Sequence, residues 1–93
     1  MNMKKRRTGK NFYVVIRGRF CGVFDDWLQC KSQVQCYEKN KYQGFYTLQD
    51  AMQFIRTHLQ EMEPESGYIC ELNESEQYFG DAMELLQFME KIV

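Results

Sequence analysis

Phe12, Tyr13, Val14, Val15 and Ile16 are β-branched or aromatic in succession, a run that predicts a strand. Arg17-Gly18-Arg19 follows as a turn. Cys21, Gly22, Val23 and Phe24 read as a second, short strand, so the two strands form a hairpin. Asp25-Asp26 supplies a helix N-cap, and Asp26 with Gln29 has capping-box spacing. Trp27, Cys30 and Val34 recur at i, i+3 and i+7, which predicts a short helix to about Gln35. Residues 36–41 are polar and read as a loop. Tyr42, Gln43, Gly44, Phe45 and Tyr46 predict a third strand, weakened by its glycine. Thr47 and Asp50 form a second capping box. Leu48, Ala51, Met52, Ile55, Leu59 and Met62 then mark one face of a helix that ends before Pro64.

This order, β-β-α-β-α, predicts an α+β fold: a small three-stranded antiparallel sheet with two helices on one face. After Pro64 the pattern restarts. Tyr68 to Leu72 reads as a strand. Asp81 and Glu84 head an amphipathic helix with Ala82, Leu85, Leu86, Met89, Ile92 and Val93 on its apolar stripe. The expected division is a basic arm at 1–10, a domain at 11–62 and an acidic extension at 65–93 that carries a C-terminal helical appendage. A helix this short is marginal alone in water, so its stripe needs a surface. The chain's own sheet layer is the default, and a partner molecule is the alternative.

The chain has 93 residues, enough for one domain and too few for a second core. Aromatics at 15% are too many for a chain that never packs. No apolar run approaches the ~20 residues that span a membrane. The positive start, Lys4-Lys5-Arg6-Arg7, has no apolar stretch behind it, so a cytoplasmic or nuclear location is expected. Cys21, Cys30, Cys36 and Cys70 show no C-x-x-C spacing, and His58 lies far from them in sequence. Reduced cysteines that pack as small apolar side chains are expected, with no metal and no cofactor. Glu61, Glu63 and Glu65 form no metal motif. Capping accounts for Asp25-Asp26 better than catalysis does.

The net charge of −1 conceals a gradient. Residues 1–19 hold Lys4, Lys5, Arg6, Arg7, Lys10, Arg17 and Arg19 with no acid, a charge of +7. Residues 59–93 hold nine acids against Lys91, a charge of −8. The N-terminal end suits phosphate and the C-terminal end repels it.

Phe12-Tyr13-Val14-Val15, Arg17-Gly18-Arg19, Gly22-Val23-Phe24, Trp27-x-x-Cys30, Gln33-Val34 and Tyr42-x-x-Phe45 before Thr47 occur in a distinctive order. Over about residues 11–57 this pattern resembles the hybrid-binding domain at the N-terminus of eukaryotic ribonuclease H. The same module occurs in caulimovirus viroplasmin. The resemblance implies non-catalytic binding of RNA/DNA hybrid and double-stranded RNA. Ribosomal RNA is one candidate target of such binding. By the same resemblance, Tyr13, Trp27 and Tyr42 fall at aromatic contacts to the DNA strand and its phosphate. The loop at 36–41, with Lys39 and Lys41, falls where backbone groups meet RNA 2′-hydroxyls. Where relatives often carry two lysines, this chain has Gln43-Gly44.

Strand alternation agrees in part. If Val14 and Phe45 are core, Tyr13, Arg17 and Tyr42 share an exposed face suited to stacking and phosphate contact. The expected nucleic-acid site is therefore Tyr13, Arg17, Arg19, Trp27, Lys39, Lys41, Tyr42 and Gln43. The alternative is a protein-interaction module, viroplasmin-like, docking on a ribosomal or other translation-related partner through residues 65–93.

Overall fold

The computed structural model describes residues 10–93, so the basic run at 4–7 lies outside the described residues. The elements are β1 (Phe12–Arg17), β2 (Phe20–Phe24), α1 (Trp27–Val34), β3 (Lys41–Phe45), α2 (Leu48–Thr57), β4 (Gly67–Leu72), β5 (Ser75–Phe79) and α3 (Ala82–Ile92). A single 3₁₀ turn, Leu59–Glu61, follows α2.

The class is α+β as expected, but the sheet is larger than the sequence suggested. It has five strands in the order β3-β1-β2-β4-β5. It is also mixed, because β2 and β4 pair in parallel while the other neighbours are antiparallel. A parallel pair needs a long crossover. Here the chain between β2 and β4, carrying α1, β3 and α2, provides it. The strand pattern after Pro64 is thus the continuation of the same sheet and not the start of an appendage.

The two-helices-on-one-face expectation is corrected as well. Tyr13, Val14, Val15 and Ile16 are all buried, so β1 is covered on both sides. Helix α1 covers one side, where Cys30 and Val34 pack with Tyr13, Val15, Phe24 and Ile69. Helices α2 and α3 cover the other. There Ala51, Met52, Ile55, Leu85, Leu86 and Met89 pack with Val14, Ile16, Cys21, Val23 and Cys70. The apolar stripe of α3 therefore covers the chain's own sheet.

Local chemistry explains most element ends. Asp50 N donates to Thr47 Oγ1 at 3.1 Å and Glu84 N to Asp81 Oδ1 at 2.9 Å, so two of the expected caps form. The third does not: Asp26 is the N-cap of α1 but makes no side-chain cap bond. Its neighbour Asp25 instead accepts from Asn73 N at 2.6 Å and pins the β4–β5 turn. That turn places Asn73 at φ 53° and Glu74 at φ 65°, the two-residue geometry that suits a twisted hairpin. Burial pushes the thiols of Cys21, Cys30 and Cys70 up to about 12, so they stay protonated and act as packing groups. Among the described residues no helix is long and apolar enough to cross a membrane.

Candidate nucleic-acid interface

The α1 side of the sheet gathers three aromatic rings from three elements. Tyr13 projects from β1, Trp27 opens α1, and Tyr42 sits on β3. The Tyr13 and Trp27 ring centroids are 5.6 Å apart, and those of Trp27 and Tyr42 are 5.7 Å apart. The rings form a row that runs from the core to solvent. Tyr13 is 8% exposed and Tyr42 is 41% exposed. The exposed-face expectation for Tyr13 is thereby corrected, because α1 lies over that end of β1. The row stays in place because Gly44 pairs with Tyr13 across the strands. A Cβ at residue 44 would stand 3.3 Å from Tyr13 Cδ1 and 3.2 Å from Lys10 Cβ. Glycine is what lets the Tyr13 ring lie across β3.

Basic groups collect at the far end of the same two strands. The β1–β3 register slips between Val15 and Arg17, so Arg17 faces Lys41. Arg17 Nε donates to Lys39 O at 3.1 Å, which ties β1 to the loop before β3. Arg17 Nη1 and Lys41 Nζ both reach Glu61 Oε1, at 3.0 Å and 3.1 Å. The hydrogen bond from Lys41 outweighs partial desolvation and holds the Glu61 carboxyl below its usual range; the charges of Lys41, His58 and Arg17 add to this. Glu61 is the residue that sequence reasoning missed. It lies 44 and 20 positions from these partners, and no local motif marks it.

The remaining expected residues lie elsewhere. Arg19 Nη1 donates to Ser32 O and Gln35 O, each at 3.0 Å, and so closes the C-terminal end of α1. Gln43 pairs with Val14 and therefore belongs to the α2 side of the sheet, away from the ring row. Lys39 sits in the loop with φ 62°. Tyr13, Trp27 and Tyr42 thus come together, as do Arg17, Lys39 and Lys41, while Arg19 and Gln43 stand apart.

The other half of the α1 side is acidic. Burial raises the Glu71 carboxyl above its usual range, and Glu76, Asp25 and Asp26 raise it further. This corner of β4 and β5 is thus negatively charged, whereas Arg17, Lys39 and Lys41 gather at the β3 edge. Among the described residues no three His, Cys, Asp or Glu side chains are grouped to hold a metal.

Comparison with known proteins falls on this same region. The family described as Ribonuclease H1 N-terminal domain matches residues 11–55. Ribonuclease H1 of Mus musculus is 41% identical over 46 residues, covering 50% of this chain and 16% of that protein. Ribonuclease H of Crithidia fasciculata is 36% identical over 52 residues, covering 56% and 10% respectively. Ribonuclease H of Schizosaccharomyces pombe is 34% identical over 56 residues, covering 60% and 21%. The aligned part is thus at most about a fifth of the length of these relatives. No solved structure matches the chain significantly. The matched residues carry β1, β2, α1, β3, most of α2 and the whole aromatic row, and over this segment the chain is similar to the ribonuclease H1 N-terminal domain.

Proposed function

We propose that this chain binds RNA/DNA hybrid and double-stranded RNA, without cutting them, along the β3 edge on the α1 side of the sheet. The observation that carries this reading is the contiguous row Tyr13–Trp27–Tyr42, open to solvent at Tyr42, within the family-matched segment. An RNA-containing duplex has a wide, shallow minor groove lined with 2′-hydroxyls, which a flat aromatic and basic edge can follow. Ribosomal RNA helices present the same geometry.

The roles follow from exposure. Tyr42 and Trp27 contact sugar or phosphate, since each offers a ring face and a hydrogen-bond donor. Tyr13 is buried and braces Trp27. Arg17 and Lys41 supply charge to the backbone, and the loop carrying Lys39 supplies main-chain groups. The acidic corner around Glu71 turns the duplex away from β4 and β5. The reading is a binding one because the match is to the N-terminal domain of relatives that are several times longer.

The test is a pair of substitutions. Trp27→Ala and Tyr42→Ala are each expected to weaken hybrid binding by about 1–3 kcal/mol, the scale of a lost aromatic contact with nucleic acid. Circular dichroism must show both variants folded, since Trp27 also packs against the core. Folded variants with unchanged affinity would refute the assignment.

A further inference from the structure

The ion cluster at Glu61 has the form of an anion site with its own occupant. Two cationic side chains and an imidazole, from three elements, surround one carboxylate. Arg17 at the end of β1 and Lys41 at the start of β3 share Oε1, at 3.0 Å and 3.1 Å. His58 at the end of α2 brings Nε2 to 3.9 Å from Oε2. The imidazole is held in place on its other edge. His58 Nδ1 lies 3.0 Å from Phe54 O. Its ring also packs on Phe54 with centroids 4.3 Å apart. The guanidinium is oriented by its Nε bond to Lys39 O.

We propose that Arg17 and Lys41, with the His58 ring beside them, form a site for one backbone phosphodiester of the duplex, and that the Glu61 carboxylate fills it in the free chain. The proposal rests on the hybrid-binding reading above and deepens it. His58 and Glu61 lie beyond the family-matched residues 11–55, so that match does not assign them a role. A carboxylate and a phosphodiester both present paired oxygens with negative charge, and arginine and lysine serve either. The cluster is half-exposed, with side-chain accessibilities of 42% for Arg17, 37% for Glu61 and 35% for Lys41. Pairs this exposed are held weakly in water and can exchange partners. Lys41 directly precedes Tyr42 on β3, so the cluster and the ring row lie at the same sheet edge but on opposite faces of the strand. A duplex that wraps this edge reaches both. Glu61 in this scheme restrains affinity: the incoming phosphate must displace it before it gains the two cations.

Glu61→Gln removes the competing charge and keeps the shape. Its hybrid affinity is expected to rise roughly threefold to tenfold, the loss of one or two exposed ion pairs. Its plot of log affinity against log salt is expected to steepen by about one unit, the value for one added phosphate contact. Adding Lys41→Gln to this variant should cancel most of the gain. If the unmodified chain binds hybrid and Glu61→Gln binds no tighter, the site is wrong while the binding reading stands. If neither binds, the reading fails and the site with it. Saturation of Glu61→Gln by inorganic phosphate without tighter hybrid binding would also overturn the assignment. The unmodified chain gives a measurement that needs no substitution. On adding hybrid, the NMR titration midpoint of the Glu61 carboxyl should move up toward the ordinary carboxylate range. A midpoint that stays depressed in the complex contradicts the displacement of Glu61.

Discussion

Gly22→Ala is expected to cost more than about 4 kcal/mol and to unseat β4 from β2, an effect at the far end of what single substitutions do. Gly22 sits at φ +152°, where a side chain is strained, and it pairs with Ile69 in the parallel ladder. An ideal Cβ at this position would stand 1.8 Å from Ile69 O and 2.8 Å from Ile69 C. These are backbone atoms of the neighbouring strand, so no side-chain rotation relieves the overlap. The strands must part, and the backbone hydrogen bonds between them go with the contact. Urea unfolding of the two proteins measures this directly. A Gly22→Ala chain within about 1 kcal/mol of the parent would mean that β2 and β4 are not paired as described.

The second large effect concerns the chain after Glu63. Truncation there is expected to abolish cooperative melting. The cut removes β4, β5 and α3, and with them the buried Ile69, Cys70, Ala82, Leu85, Leu86 and Met89. Burying a large aliphatic side chain is worth about 1.5–3 kcal/mol. The sum over Ile69, Leu85, Leu86 and Met89 is comparable with the whole stability of a typical small domain, roughly 5–15 kcal/mol. The cut also uncovers Cys21, Val23 and Cys70's neighbours on the α2 side and leaves β2 with an open edge. Calorimetry of the fragment and the full chain decides the matter. A fragment that melts sharply within a few degrees of the parent would show that residues 67–92 are dispensable to the core.

These two expectations mark where the sequence was hardest to read. The hairpin, α1, β3 and α2 were legible because their apolar residues keep a clear period and Thr47 caps α2 as its spacing implies. The unbroken apolar run of β1 also held a signal that alternation obscured. Five consecutive apolar or aromatic residues, Phe12 to Ile16, fit a strand buried on both faces, which requires helices on both sides of the sheet. The membership of β4 in the same sheet was not legible. Parallel pairing links residues more than forty positions apart, and nothing local announces it. Strand β5, Ser75–Phe79, is a polar edge strand with four exposed residues, so it lacks the alternation that reveals a strand. The turn residue Asn73 was the one local sign of the hairpin.

The candidate site was legible in its aromatics and only half legible in its charges. Tyr13, Trp27 and Tyr42 were named together and do stand together. Arg17 and Lys41 were assigned to the nucleic-acid site, and in the structure Glu61 holds both. Arg19 was grouped with them because it is two residues from Arg17, yet it turns to the C-terminal end of α1. Side-chain partners set by tertiary contact leave no trace in local spacing.

The measurement that bears most directly on the proposed function is a binding comparison across duplex types. The full chain is titrated against RNA/DNA hybrid, double-stranded RNA and double-stranded DNA of one sequence, at low and at physiological salt. Both RNA-containing duplexes are expected to bind about tenfold or more tightly than DNA at either salt, a difference of roughly 1.4 kcal/mol or more. Binding of duplex DNA equal to or tighter than that of the hybrid would contradict the proposed function.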